Sequence, residues 1–121
     1  MIQLISVKLK SYSKILHLEF NDGTISDLSC EYLRVYSPSA EVKGHSPEQA
    51  ILQTDKEHVN IKSIEPVGNY AIKLIFDDGH DSGIYTWDYL YQLSVEKNKL
   101  WAEYIDALKQ AGYDRKKDEE I

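Results

Sequence analysis

FDDGHDSGIYTWDYL, residues 76–90, is the stretch whose reading decides the fold. It carries the end of a strand, an Asp78-Gly79 turn, a return strand, and a helix starting near Thr86. An aspartate-glycine pair suits a two-residue hairpin, because such a turn needs positive φ and glycine adopts it without steric cost. Upstream, Tyr70, Ile72, Leu74 and Phe76 alternate with other residues and mark the buried face of the incoming strand. That strand follows a Gly68-Asn69 turn and an earlier strand from Ile61 to Pro66. Downstream, Trp87, Leu90, Tyr91 and Leu93 give the helix its apolar face, and Phe76 and Trp87 are the expected core anchors. A second helix is predicted over Leu100 to Ala111, where Leu100, Trp101, Tyr104, Ile105 and Leu108 share one stripe and Gly112 supplies the cap. It should close over one sheet face.

The first half of the chain carries the same signals. Ile5, Val7 and Leu9 alternate, as do Leu16, Leu18 and Phe20, and Asp22-Gly23 predicts a second two-residue hairpin with a short return strand through Ile25. Asp27 or Ser29 is placed to cap a short helix carrying Tyr32 and Leu33. A slide of 56 residues superposes Ile5 on Ile61, Leu16 on Ile72, Leu18 on Leu74, Phe20 on Phe76 and Asp22-Gly23 on Asp78-Gly79. One inserted residue then brings Tyr32-Leu33 onto Tyr89-Leu90. The pattern is an internal pseudo-repeat of strand, hairpin and helix, neither half of which buries its apolar face alone. Between the halves, residues 37–59 form a Ser-, Pro- and charge-rich excursion. Ser46-Pro47-Glu48-Gln49 has the cap, proline and glutamine that open a helix, and burial of Ile51 and Leu52 would anchor it. The prediction is an α+β fold, mainly antiparallel hairpins with a C-terminal helix on the sheet. It forms one domain over residues 1–112, followed by a charged, solvated C-terminal tail at 113–121.

Composition narrows the function. A chain of 121 residues with net charge −6 and pI near 5.1 lacks the basic footprint that a phosphate backbone requires, so nucleic acid is not an expected partner. Cys30 is the single cysteine, which excludes an intrachain disulfide. The opening MIQLISVKLK is too polar for a signal peptide, and no apolar run has membrane-spanning length, so a cytoplasmic protein without a membrane partner is expected.

No catalytic constellation stands out, and the chain reads as a non-enzyme without a cofactor. In a two-residue hairpin His80 faces Asp77, an ordinary cross-strand pair. His17, His45 and His58 lack zinc-site spacing and read as surface residues. Asp77 and Asp78 point apart, and Asp78 is explained by the turn. Tyr85, Trp87, Tyr89 and Tyr91 read as core, and Cys30 as a small buried residue. Ser37 and Ser39 have no Gly-x-Ser-x-Gly context.

Two segments, LSCEYLRVYSPSAEV at 28–42 and FDDGHDSGIYTWDYLYQL at 76–93, resemble the gamma-butyrobetaine hydroxylase-like N-terminal domain. The resemblance implies a module found alone in bacteria, at the N-terminus of 2-oxoglutarate-dependent hydroxylases and on some iron–sulfur P-loop carriers. The hydroxylases keep their catalytic iron in a separate domain. Their version of this module holds a structural zinc through a Cys-x-Cys-x-x-Cys run after a Leu-Arg pair and a histidine after the Asp-Gly turn. Laid on Leu33-Arg34, those positions fall on Ser37, Ser39, Val42 and His80, so no zinc site is expected. The resemblance implies a non-catalytic accessory or protein-interaction domain, linked by analogy to iron–sulfur or metalloprotein maturation. Its candidate surface is Arg34, His80, Tyr85 and Trp87, and its partner another protein. The alternative is a small metal-binding domain or enzyme using His80 with Asp77, Asp78 or Asp81.

Overall fold

The computed structural model describes residues 1–44 and 51–115. Strands β1 (Leu4–Lys10), β2 (Ile15–Phe20) and β3 (Ile25–Ser29) form one antiparallel sheet, followed by helices α1 (Cys30–Val35) and α2 (Ala40–Lys43). Strands β4 (Ile61–Val67), β5 (Ala71–Phe76) and β6 (Ile84–Thr86) form a second, followed by α3 (Trp87–Val95) and α4 (Lys97–Gln110). The α+β reading with an internal repeat holds. Leu16, Leu18, Phe20 and Leu28 from the first sheet join Ile72, Leu74, Phe76 and Tyr85 from the second in one core, closed by Leu33 and Leu90. Among the described residues no helix is long and apolar enough to cross a membrane.

The repeat extends to individual hydrogen bonds. Ser29 caps α1 by accepting the Tyr32 amide at 3.0 Å, and Thr86 caps α3 by accepting the Tyr89 amide at 3.2 Å. Asp27, the other cap candidate, instead binds His17. The halves also exchange equivalent contacts. The Tyr32 hydroxyl donates to the Leu93 carbonyl at 2.7 Å, and the Tyr89 hydroxyl to the Tyr36 carbonyl at 2.6 Å. Arg34 of α1 reaches the turn carboxylate Asp78 at 2.9 Å, and Tyr91 of α3 reaches Asp22 at 2.6 Å. Each helix thus fastens the hairpin of the opposite half, which is why neither half is complete alone.

Two local expectations change. Leu4 pairs with Phe20 and Ser6 with Glu19, so Ile5 is the extra residue of a β-bulge. The bulge reverses the inside-outside parity, leaving Ile5 63% exposed while Val7 and Leu9 pack inward. β4 repeats the irregularity, with Ile61 opposite Phe76 and Ser63 opposite Ile75, so the structural partner of Ile61 is Leu4 and not Ile5. The hairpin loops have three residues, not two. The Phe20 amide donates to Thr24 and the Phe76 amide to His80, with only Gly23 and Gly79 at positive φ, both +92°. A two-residue type I′ turn would need both central residues at positive φ. In each turn the aspartate accepts the amide two residues on, Thr24 at 2.9 Å and His80 at 3.2 Å. His80 therefore stands opposite Phe76, not Asp77.

Trp87 is only half-buried and donates its indole N–H to the Asn69 carbonyl at 2.9 Å, whereas Phe76 is the expected core anchor at 1% exposure. Helix α4 begins at Lys97, earlier than expected, and sends Leu100 and Trp101 to the main core. Its Tyr104 and Leu108 form a smaller cluster with Val35 of α1. Gly112 at φ +76° ends it in a Schellman arrangement, with the Tyr113 amide on the Leu108 carbonyl.

The excursion and the tail depart furthest from expectation. The helix expected from Ser46 falls mostly on residues 45–50, outside the described residues. Helix α2, which the sequence reading passed over, starts earlier, and Ile51 and Leu52 are 60% and 38% exposed instead of buried. Other contacts hold the segment: the Ile51 amide donates to Val42, the Tyr104 hydroxyl to Gln53, and Val59 is buried. Tyr113 and Arg115, expected in a solvated tail, pack back onto the domain. The Tyr113 hydroxyl donates to Asp55 at 2.6 Å. Arg115 pairs with the buried Glu31 through its Nε at 2.9 Å and lies over the Trp101 ring.

Candidate functional site

After Gly79 the second half departs from the first. β3 begins at Ile25, close behind its turn, but β6 waits until Ile84, and residues 80–83 turn inward against the α1–α2 junction. There His80 is buried, with its Nε2 2.8 Å from Ser37 Oγ and its Nδ1 2.9 Å from Glu41 Oε1. Ser37 follows the end of α1, and Glu41 stands in the first turn of α2, which Ser39 caps through the Glu41 amide at 3.1 Å. Ser, His and Glu therefore form a chain of the order seen in serine hydrolases.

Protonation follows from the bonds. Burial, helped by the Arg34 guanidinium, holds His80 below the ordinary imidazole value of 6.5, against the opposing pull of Glu41 and Asp78. The neutral ring must then donate from Nδ1 to the Glu41 carboxylate and accept at Nε2 from the Ser37 hydroxyl. Ser37 Oγ in turn accepts the Ser39 amide at 3.2 Å, which fits that tautomer.

The arrangement is closed to a substrate. Ser37 is 0% exposed, and Gly83 packs so tightly on it that an added Cβ would lie 2.5 Å from Ser37 Oγ. Beside it, Ser82 Oγ meets Ser39 Oγ at 2.6 Å. Among the described residues no buried side-chain nitrogen or oxygen lacks a partner. Beside this chain lies a charged cluster in which Asp78 accepts from both Arg34 and Lys56, and Arg34 also donates to Gln53 at 3.0 Å. Burial opposes the ionised Asp78, but Lys56, the His80 amide and Arg34 outweigh it and hold the carboxyl below its usual range.

The structure brings Arg34, Asp78 and His80 together but corrects the surface expected of Arg34, His80, Tyr85 and Trp87. Arg34, His80 and Tyr85 are 7%, 5% and 0% exposed, so they cannot present a docking face. Tyr85 donates to the Leu33 carbonyl at 2.6 Å. Asp77 turns away to accept the Asn60 amide, and Asp81 is exposed. His17 bridges Glu19 and Asp27 on the outer face of β2, His58 is exposed, and His45 lies outside the described residues. Burial pushes the Cys30 thiol up to about 11, which leaves it an inert core group.

At the positions that the resemblance assigns to zinc, the donors do not fit the ion. Ser37 and Ser39 offer neutral hydroxyls already engaged with His80 and Ser82, and Val42 offers no donor. Among the described residues no group of three or more His, Cys, Asp or Glu side chains is placed to hold a metal ion.

On the other side of Ser37 lies an open groove of about 380 Å³ between α2 and α3, walled by Val42, Ile51, Tyr89, Leu93 and Leu100. Lys43 stands at its rim, with its ammonium 4.5 Å from the centre of the Tyr89 ring. Sequence reasoning missed Glu41, Gly83 and this groove. The available signals were the glutamate two residues after the Ser39 cap and the small Ser82-Gly83 pair, which lets two loops approach closely.

Residues 7–91 match the family described as gamma-butyrobetaine hydroxylase-like, N-terminal. Two proteins with NMR solution structures are similar over nearly the whole chain. One is 48% identical with a TM-score of 0.82, covering 100% of this chain and 95% of the other. The second is 49% identical with a TM-score of 0.81, covering 95% and 86%. A crystal structure from Acidithiobacillus ferrooxidans, of a protein of unknown function in the DUF971 family, is 37% identical with a TM-score of 0.64, covering 75% and 91%. No curated protein matches.

Proposed function

We propose that this chain, which belongs to the gamma-butyrobetaine hydroxylase-like N-terminal family, works in the cytoplasm as a non-catalytic protein-interaction domain. The observation that carries this reading is the contrast between the two sides of Ser37. The Ser37–His80 end of the aligned chemistry is sealed, with only the Glu41 carboxylate reaching solvent, and the side without it is open and apolar. A nucleophile needs room for the carbonyl it attacks and donors aimed at the developing oxyanion. Ser37 has neither, since its hydroxyl is enclosed by His80, the Ser39 amide and Gly83. The Ser37–His80–Glu41 chain instead fastens α2 to the second hairpin, doing with hydrogen bonds what a bound metal would do there. A protein partner also suits a net charge of −6 better than nucleic acid does.

The resemblance makes iron–sulfur and other metalloprotein maturation factors the first partners to test. Crosslinking and co-purification from the native cell should retrieve the same partner reproducibly. Repeated failure to retrieve any would overturn the reading.

The second reading, an enzyme built on His80, is favoured by the triad order of Ser37, His80 and Glu41. A fluorophosphonate probe separates the two. Stoichiometric labelling of Ser37, abolished in His80→Gln, would establish the enzyme; an unlabelled wild-type protein supports the fastening role.

A further inference from the structure

We propose that the groove between α2 and α3 receives a short segment of the partner protein in which a bulky apolar side chain stands next to a carboxylate. This rests on the interaction-domain reading and gives the partner its chemistry. The groove walls supplied by Val42, Leu93, Leu100 and the Tyr89 ring are apolar, and about 380 Å³ lies at the small end of ligand-pocket volumes. It suits one or two side chains. Ile51 of the groove wall is 60% exposed and its chain neighbour Leu52 38%, apolar surface that a peptide covers and a small free acid does not.

Charge selects the carboxylate. Lys43 stands over Tyr89 with no carboxylate in ion-pair reach among the described residues, and burial alone pushes its pKa down. Among the described residues this ammonium has only the Tyr89 ring beside it, and an incoming carboxylate would give it a charge-assisted hydrogen bond. The net charge of −6 opposes an acidic partner only weakly, because physiological salt screens charges more than about 8 Å away. Gln92, exposed at the rim, offers amide groups to a peptide backbone.

The test is an NMR titration of the 15N-labelled full chain with the peptide acetyl-Asp-Leu-Leu-Asp-amide at physiological ionic strength. Saturable shifts should map to the amides of Lys43, Ile51, Gln92 and Leu100. Lys43→Gln should weaken binding about two- to fivefold, and the lysine-flanked peptide acetyl-Lys-Leu-Leu-Lys-amide should bind about tenfold more weakly. Gln92→Trp, which fills the groove from an exposed position, should abolish the shifts while leaving the rest of the spectrum folded. Equal binding of both peptides, shifts elsewhere on the molecule, or tighter binding of octanoate than of the acidic peptide would each overturn the proposal. A partner crosslinked equally well by wild type and by Gln92→Trp would also overturn it, while leaving the interaction-domain reading intact.

Discussion

Replacing Gly83 with alanine probes the closure of the His80 site by a single methyl group. The new Cβ would lie 2.5 Å from Ser37 Oγ and 3.2 Å from Tyr85 Cε1, and the first distance is too short to exist. Gly83 is not among the residues at positive φ, so the cost is steric and not backbone strain. Ser37 cannot swing aside freely, because its hydroxyl holds both His80 and the Ser39 amide. Overpacking of this kind costs about 1–3 kcal/mol, and each displaced hydrogen bond adds about 1 kcal/mol. A loss of about 2–4 kcal/mol is expected, a large share of a typical stability of about 5–15 kcal/mol. Ser37→Ala should also destabilise, because it strands His80 Nε2 and the Ser39 amide. In the double variant the methyl added at position 83 takes up the space left by the hydroxyl, so the two losses should fall short of additivity by about 1–2 kcal/mol. Urea unfolding at neutral pH measures all three variants. A neutral Gly83→Ala, or strictly additive losses, would refute the tight contact between Gly83 and Ser37.

Acid should weaken the fold in two windows. The depressed His80 contributes stability that is complete above the ordinary value of 6.5 and is lost as pH falls from there towards its folded pKa. His17, raised chiefly by its bonds to Glu19 and Asp27, acts oppositely, its contribution being present below 6.5 and lost as pH rises through its folded pKa. The His80 window must therefore be taken as the difference between wild type and His80→Gln in pH-dependent unfolding; a pH-independent difference would contradict the assignment. A second loss, from Asp78, should set in as pH falls below 3.8 and should vanish in Asp78→Asn. Truncation before Asp114 removes Arg115 and strands the buried Glu31 carboxylate, costing about 1–3 kcal/mol. Thermal unfolding should then fall by about 4 °C or more, and an unchanged midpoint would mean that the Arg115 contact contributes nothing. Protein prepared without added metal should unfold identically with and without chelator; near-stoichiometric zinc together with chelator-induced unfolding would overturn the hydrogen-bonded account of Ser37, Ser39 and His80.

Regular periodicity was the legible part of the fold. Leu16, Leu18 and Phe20, like Ile72, Leu74 and Phe76, alternate because one face of each sheet is buried, and the repeat followed from comparing the two sets. The bulge at Ile5 was hidden because the extra residue is itself apolar and prolongs the alternation. The turn length was hidden because Asp-Gly also serves a three-residue loop with glycine in the left-handed position. Chemistry was legible only as far as single residues. His80 stood out, but its partners Ser37 and Glu41 lie 43 and 39 residues away, and only the folded chain brings them together. Arg115 shows the same limit, since a charged terminal run gives no sign that this residue reaches Glu31, 84 positions earlier.

The central claim is that His80 is a sealed, neutral fastener between Ser37 and Glu41. NMR of the His80 ring nitrogens as a function of pH tests it most directly. The account predicts the tautomer protonated at Nδ1 at neutral pH, with titration displaced below the ordinary value of 6.5. A ring protonated at Nε2, or one that titrates at or above 6.5 like a solvent-exposed imidazole, would contradict it.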